Sequence, residues 1–403
     1  MASEPFAALL RRLRQARGWS QQRLAEELCR VSSRPTVTRQ EVYRWECGRR
    51  VPKLWLPYLA AALEVPLSTL EKAVALPAVT TNRKLDELLP PPLDLPVEHG
   101  PRRAIDRQAA DHLLARACAL RFADDVVSGK DLIGPAFREL DAAVTVMNGS
   151  RFTERVGKQL LTAVGELAQI AGWIASDAGQ HRRAEETYLL GMSAARDAGD
   201  PVLTAQLAIC LGYQFSNTGR EAEGVELAEA ALREAGPETP PRARALFWDR
   251  IAWTHTKAGD AQAAMRALGA AAEALAQHEL EDEPPWVYWL SEDELRIMDA
   301  RVFTELARPL RAVPILVETL AAYDTAHTRE HMLYTSWLAV AYCDANEPEA
   351  AAETALRMLL ASADLGSDRI RERTRVVLRK LEAHQGIPEV DAVTEVARAL
   401  GVS

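Results

Sequence analysis

The pattern that most constrains the fold is an internal repeat that begins near residue 160. Small residues recur at two marks in every unit, with steps of 40, 40, 48 and 39 residues in both series. The first mark falls at Gly172, Gly212, Ala252, Ala300 and Ala339, and the second at Ala184, Gly224, Ala264, Ala312 and Ala351. Small residues at two such points let paired antiparallel helices approach closely. A repeat of this size that forms a helix hairpin predicts an α-solenoid.

A turn is predicted between the two marks of each unit. The five turns are Asp177-Ala178-Gly179, Asn217-Thr218-Gly219, Lys257-Ala258-Gly259, Ala307-Arg308-Pro309 and Asp344-Ala345-Asn346. Residues 104–150 are expected to add an atypical helical pair, and residues 367–400 to cap the stack. The pattern resembles tetratricopeptide repeats, although its units are longer than theirs.

Three aromatic residues, Trp173, Tyr213 and Trp253, also fall 40 residues apart. In the tetratricopeptide pattern, which the repeat resembles, this position faces the concave groove, so we expect the three rings to be partly exposed. The groove implied by the resemblance comprises Gln169, Trp173, Gln206, Tyr213, Asn217, Asp249, Trp253 and Lys257. Rings flanked by polar side chains can hold an extended peptide; alternatively, they pack between adjacent repeats. The equivalent later positions are Arg301 and Val340, so we expect no continuation of the ladder.

The segment from Ser20 to Pro52 predicts two short helices joined by a turn at Cys29 to Val37. Ser20 is a good N-cap for the first helix, and Thr38 with Glu41 forms a capping box for the second. Val42 and Trp45 are expected to point inward, and Gly48 to end the helix. The outer face then carries Arg39, Gln40, Tyr43 and Arg44. Arginine and glutamine pair with the edges of guanine and adenine, so this composition is typical of a helix that reads a major groove.

Neighbouring helices at residues 5–17 and 55–65, and a fifth opened by a capping box of Ser68 with Glu71, complete the unit. Over residues 5–76 it resembles the lambda-repressor-like, xenobiotic-response-element class of helix-turn-helix domains. The resemblance implies base contacts by Arg39, Gln40, Tyr43 and Arg44, and DNA-backbone contacts by Gln21, Thr38, Arg49, Arg50 and Lys53. It also implies a structural ion pair between Arg14 and Glu46. Tyr43 alternatively contacts phosphate or only covers the domain. The predicted turn is longer than the family norm.

Charge is divided unevenly along the chain. Up to Pro77 there are 13 basic and 7 acidic residues, whereas the remainder holds 35 basic and 50 acidic residues. A short basic end on a long acidic body predicts that only the N-terminal part meets a polyanion such as DNA.

Composition excludes several other classes of protein. No run of about 18 uncharged apolar residues exists, so no membrane span is expected. The 5 cysteines are scattered and form no CxxC pair, which favours reduced thiols in a cytoplasmic protein. His327 and His331 have HxxEH spacing without a third ligand, which indicates a chance surface pair. We therefore expect no metal site, no cofactor and no enzymatic activity.

The sequence thus predicts an all-α chain with three parts. Residues 1–76 form a five-helix lambda-repressor-like DNA-binding domain, residues 77–103 a proline-rich linker, and residues 104–403 a tetratricopeptide-like α-solenoid for sensing and dimerisation. The architecture resembles the pheromone-responsive transcription regulators of Gram-positive bacteria. It implies a homodimer on an inverted-repeat operator in double-stranded DNA, with a peptide, small molecule or protein in the solenoid groove. The alternative is an adaptor whose solenoid docks a partner protein.

Overall fold

The computed structural model describes residues 6–32, 37–46, 52, 55–75, 103–127, 129–277, 283–322, 328–362 and 368–401. The chain is all-α and divides into two compact units, Met1–Asn82 and Arg83–Ser403. The predicted linker lies outside the described residues, except for its last residue, Arg103.

The first unit contains five helices within its described residues. They are α1 (Phe6–Ala16), α2 (Gln21–Ser32), α3 (Arg39–Glu46), α4 (Leu56–Ala62) and α5 (Leu67–Ala75). Their apolar faces meet in one core around Leu10, Leu24, Leu59 and Leu70, all of which are fully buried. Burial of these side chains is the main stabilising contribution in a domain of this size.

Three details of this unit correct the sequence-based boundaries. Helix α2 runs to Ser32, so Cys29 belongs to the helix and the turn is shorter than predicted. Helix α4 ends at Ala62. Helix α5 begins at Leu67, so Ser68 lies inside it and is not its N-cap. The other two predicted caps are confirmed, because Ser20 Oγ accepts the Arg23 amide at 3.0 Å and Thr38 Oγ1 accepts the Glu41 amide at 3.3 Å.

The second unit is a solenoid of helix pairs. An opening pair, α6 (Arg107–Val126) and α7 (Gly129–Gly149), packs on α8, and strands β1 (Arg103–Ala104) and β2 (Ser150–Arg151) pair in parallel beside it. The repeats follow as α8 (Glu154–Asp177) with α9 (His181–Ala198), α10 (Pro201–Asn217) with α11 (Glu221–Ala235), α12 (Pro241–Lys257) with α13 (Ala261–Ala276), α14 (Glu292–Glu305) with α15 (Pro309–Ala322), and α16 (Thr328–Asp344) with α17 (Pro348–Ser362). The closing helices α18 (Asp368–Leu381) and α19 (Pro388–Ala399) pack on α16 and α17, as expected for a cap.

The five turns within the pairs confirm the period of the repeat. Each contains one residue with positive φ: Gly179, Gly219, Gly259, Ala307 and Asn346. These positions are separated by the same four steps as the small residues. In the fourth turn the residue with positive φ, Ala307, is the first of the three predicted turn residues and not the third. The sequence-based position of this turn is therefore two residues too late.

Small residues at the marks let the paired helices touch. A Cβ added at Gly224 would lie 2.3 Å from Ser216 Oγ and 2.6 Å from the backbone oxygen of Gly212. One of these clashes is with a backbone atom, the Gly212 oxygen, which cannot move aside as the end of a flexible side chain can. At this point α10 and α11 approach too closely for any larger side chain.

We therefore expect Gly224→Ala to destabilise the solenoid by about 1–3 kcal/mol despite the better helix propensity of alanine. Gly269, on α13, is the matched control, because nothing lies within 4 Å of an added Cβ there. Gly269→Ala should instead stabilise by about 0.5–1 kcal/mol. Urea unfolding followed by circular dichroism measures both changes, and equal effects at the two sites would contradict the close approach.

Candidate functional site

Helix α3 begins at the solvent-exposed surface of the domain, and one side of the helix packs against the domain core. Val42 and Trp45 are buried, as predicted, whereas Thr38 and Arg39 are exposed. Arg39 is the first residue of the helix. Its guanidinium is therefore available to a partner outside the protein.

A buried glutamate anchors the end of this helix. The two carboxylate oxygens of Glu46 accept hydrogen bonds from Arg14 Nε at 2.6 Å and Arg14 Nη2 at 3.0 Å, which confirms the predicted ion pair. The hydrogen bond to Glu46 raises the pKa of Arg14 above its ordinary value. Gln21 Nε2 also donates to Glu46 at 2.9 Å, and Arg11 donates to its backbone oxygen at 3.1 Å. Helices α1, α2 and α3 are thereby joined at one carboxylate.

Only part of the predicted DNA-binding set can be located. Thr38 and Arg39 are exposed at the start of α3, while the side-chain amide of Gln21 is engaged with Glu46. The side chains of Gln40, Tyr43 and Arg44 lie outside the described residues, as do Arg49, Arg50 and Lys53 with Gly48. Their contacts with DNA stay predictions.

In the solenoid, the three predicted aromatic residues form a continuous row. The ring centroids of Trp173 and Tyr213 are 6.0 Å apart, and those of Tyr213 and Trp253 are also 6.0 Å apart. Trp173 and Tyr213 are half-buried, but Trp253 is only 5% exposed. The expectation of partly exposed rings is therefore wrong for Trp253, because neighbouring repeats pack over it.

Two buried arginines lie against this row. The guanidinium carbon of Arg250 is 4.6 Å from the ring centroid of Tyr213 and 5.5 Å from that of Trp173. The guanidinium carbon of Arg301 is 4.7 Å from the ring centroid of Trp253, and Arg301 Nη2 donates to the Tyr213 hydroxyl at 2.9 Å. Arginine faces on aromatic rings are cation–π contacts that stabilise a buried charge.

The row does continue beyond Trp253, contrary to the sequence-based expectation. Trp337 meets Trp253 edge to face at 5.7 Å, and Arg301 lies 5.4 Å from the Trp337 ring centroid. The expectation was wrong because it compared only positions equivalent to Trp253. The residue that packs here is Trp337, three positions before Val340 on α16.

The predicted polar groove residues are mostly engaged within the protein. Asn217 Oδ1 accepts Trp253 Nε1 at 3.1 Å, and Lys257 Nζ lies 2.6 Å from Glu305 Oε1. Asp249 is 2% exposed, and burial raises the pKa of its carboxyl. Asn217 and Lys257 thereby link neighbouring repeats.

Gln169 and Gln206 are both buried. Gln169 Oε1 accepts a hydrogen bond from Arg121 Nη2 at 3.4 Å. Arg121 Nη1 in turn forms an ion pair with Glu166 Oε2 at 2.8 Å. Gln206 is only 5% exposed, so little water reaches it. Its Oε1 atom nevertheless accepts no hydrogen bond from the described residues. An unpartnered buried amide oxygen beside a cavity is available to a bound donor.

A half-open cavity of about 340 Å³, called the inner cavity below, occupies this region. Its lining includes Gln169, Trp173, Gln206, Arg250, Trp286, Trp289 and Arg301. A wider cavity of about 670 Å³ lies beside it, and Trp173 and Arg301 line both. The predicted groove is therefore divided into two spaces.

The wall of the inner cavity comes from the connection between α13 and α14, where the repeat step lengthens to 48 residues. Trp286 stacks on Phe247 with ring centroids 5.9 Å apart, and Tyr288 donates its hydroxyl hydrogen to Asp125 at 2.7 Å. Phe122 on α6 meets the Tyr288 ring at 5.0 Å. The connection thus crosses from the third repeat to the first helix of the solenoid and closes one side of the cavity.

Sequence reasoning missed this wall and both arginines. The available signals were the longer step and the run Trp286-Val287-Tyr288-Trp289 within it. An aromatic cluster inside an insertion indicates a segment that packs back on the repeats.

His331 is half-buried, and burial lowers its pKa, while His327 lies outside the described residues. Across the described parts of the chain, no group of three or more His, Cys, Asp or Glu side chains is placed to hold a metal ion. Among those same residues, no helix is both long and apolar enough to cross a membrane.

Comparison with known proteins identifies the first unit. The family model of a helix-turn-helix domain matches residues 5–73. This match indicates a DNA-binding regulator and covers α1 to α4 and most of α5. Searches of curated proteins and of solved structures find no match.

Proposed function

We propose that the chain is a sequence-specific transcription regulator whose affinity for DNA responds to a ligand in the solenoid. The observation that carries the proposal is the exposed start of α3, fixed on the domain core by Glu46 and Arg14. A rigid helix with an exposed arginine near its N-terminus is the arrangement that places side chains against base edges. The basic N-terminal part and the acidic remainder support contact through this domain alone.

In the proposed complex, Arg39, Gln40, Tyr43 and Arg44 meet bases. Gln21, Thr38, Arg49, Arg50 and Lys53 hold the DNA backbone. The solenoid carries the second role, because its tetratricopeptide-like hairpins line a cavity rich in aromatic rings, a common property of ligand sites. The ligand is bound beside the row formed by Trp173, Tyr213 and Trp253.

Replacing Arg39 or Arg44 with alanine tests the reading of bases. Each substitution is expected to weaken binding to the preferred sequence by about 1–3 kcal/mol and to relax preference at one base pair. Replacing Arg49 should weaken binding to all sequences alike and flatten the salt dependence. Fluorescence anisotropy with preferred and random duplexes measures both. Equal losses on the two duplexes for Arg39→Ala and Arg44→Ala would contradict the assignment.

We also propose a homodimer on an inverted repeat, because a single small domain buries little DNA surface. Two recognition helices about 34–36 Å apart would engage successive major grooves on one side of the duplex. Analytical ultracentrifugation of the full chain should give a dimer at micromolar concentration or on operator DNA. A strict monomer under both conditions would contradict this arrangement.

An adaptor is the second candidate, in which the solenoid docks a partner protein. The wider cavity favours it, since Trp337, Arg371, Arg373 and Arg375 all line that space. Mass spectrometry of the intact purified protein separates the candidates. A bound small molecule supports the sensor, and a stoichiometric copurifying protein supports the adaptor.

A further inference from the structure

The inner cavity holds two buried arginines without a carboxylate partner. Arg250 is 8% exposed and Arg301 is 4% exposed, and both line the cavity. Among the described residues, neither guanidinium lies within 4.0 Å of a carboxylate oxygen. Arg301 donates to the Tyr213 hydroxyl, but its Nε has no hydrogen-bond partner. Arg250 lies against the faces of three aromatic rings, those of Trp173, Tyr213 and Trp289.

Three acidic side chains, those of Asp124, Asp125 and Glu294, also line the cavity. Asp125 accepts a hydrogen bond from Tyr288, and Glu294 accepts one from Tyr334, both at 2.7 Å. The third arginine of the lining, Arg121, is the one that pairs with Glu166. Of the three arginines in the lining, Arg250 and Arg301 are therefore the two that form no ion pair among the described residues.

Two further carboxyls, those of Asp249 and Asp299, interact electrostatically with each other. Asp249 interacts electrostatically with Arg250 and Arg301, yet burial raises the pKa of its carboxyl and it forms no ion pair with either. Burial and the neighbouring Asp249 raise the pKa of Asp299 to about 7. A buried cation without a counter-ion is costly, and cation–π contacts offset only part of that cost. A bound anion would complete the site.

The shape of the cavity limits what that anion is. Tyr213 is contacted by both arginines, so the two guanidinium groups converge near one phenol ring. The Arg250 guanidinium carbon also lies 5.5 Å from the ring centroid of Trp173 and 5.9 Å from that of Trp289. A volume of about 340 Å³ is at the small end for ligand sites, and the connection that carries Trp289 closes one side. The space suits a compact, flat molecule better than an extended peptide.

We propose that the inner cavity binds a small, flat organic acid. Its carboxylate or phosphate group is held by Arg250 and Arg301, and its ring lies among Trp173, Trp286 and Trp289. Gln206 Oε1, which has no donor among the described residues, accepts a hydrogen bond from the ligand. Guanidinium groups match both acid groups in geometry, so the two share one recognition chemistry. The inference rests on the proposed ligand-sensing function and assigns its ligand class.

Isothermal titration of the full chain with naphthoate, naphthyl phosphate and naphthamide tests the charge requirement. The three probes share one ring system, and only naphthamide is neutral. We expect at least one acid to bind at millimolar concentration or below, and naphthamide to bind about 10- to 100-fold more weakly. The better acid then distinguishes a carboxylate from a phosphate ligand. Naphthamide binding as tightly as the acids, or no binding by either acid, would overturn the proposal.

Variants identify the groups responsible. Arg250→Gln and Arg301→Gln should each weaken the better acid about 10- to 100-fold and leave naphthamide unchanged. Arg182→Gln is the control, because that side chain is 92% exposed and lies outside the cavity. Circular dichroism checks that each variant is folded, and the comparison of acid with amide on the unaltered protein needs no variant. Unchanged acid affinity in both folded cavity variants would also overturn the proposal.

The same titrations keep this inference separate from the proposed function. Acid binding that depends on Arg250 without any change in DNA affinity would support the cavity assignment and contradict ligand-responsive regulation. DNA affinity that responds equally to naphthoate and naphthamide would support regulation and contradict the acid requirement.

Discussion

Replacing Glu46 with alanine is expected to unfold the helix-turn-helix domain and to abolish DNA binding. The side chain of Glu46 is 1% exposed and that of Arg14 is 11% exposed, so the substitution leaves a largely buried guanidinium unpaired. Removing one partner of a buried pair costs about 3–5 kcal/mol. A domain of about 70 residues rarely has more stability than that. Gln21 and Arg14 would also lose the carboxylate that joins α1, α2 and α3.

Thermal unfolding followed by circular dichroism, together with anisotropy on duplex DNA, measures this loss. Glu64→Gln is the control, because Glu64 pairs with Arg17 at 2.9 Å but is 76% exposed. Exposed pairs of this kind contribute under about 1 kcal/mol, so DNA binding should persist in the control. A Glu46→Ala protein that binds DNA normally would contradict the structural role of the anchor.

The Trp253→Ala variant is expected to lose about 3–5 kcal/mol of solenoid stability, because a large buried side chain leaves a cavity behind. Trp253 is 5% exposed and contacts Tyr213, Trp337 and Arg301. Its indole nitrogen also donates to Asn217. The loss should therefore exceed that of an ordinary surface tryptophan.

Trp173→Ala is the matched comparison on the same row. Trp173 is half-buried and lines both cavities, so its removal should cost less stability and more ligand affinity. Denaturant unfolding and titration with naphthoate separate these effects. Equal destabilisation by the two variants would show that exposure does not distinguish the rings. Intact acid binding in a folded Trp173→Ala protein would remove Trp173 from the proposed site.

The architecture was predictable because its signals are local and periodic. Small residues at fixed steps predicted the helix pairs, and Gly224 against Gly212 shows why those positions stay small. Capping at Ser20 and Thr38, and the pairing of Arg14 with Glu46, also followed from short-range patterns or from the family resemblance.

The interior of the concave face was not predictable in the same way. Arg250, Arg301 and Trp337 reach the aromatic row from positions that the repeat does not mark. Which of several polar and aromatic side chains turns inward depends on packing between helices far apart in sequence. The hydrogen bond from Tyr288 to Asp125 joins residues 163 positions apart, and the repeat pattern of the sequence gives no indication of it.

Selection of bound duplexes from a random DNA pool, followed by sequencing, tests the central claim most directly. We expect the full chain to enrich one motif with two-fold symmetry. A variant carrying both Arg39→Ala and Arg44→Ala should retain weak binding but lose part of that motif, because phosphate contacts remain while base contacts are removed. Recovery of a pool no different from the starting DNA would contradict sequence-specific regulation by this protein.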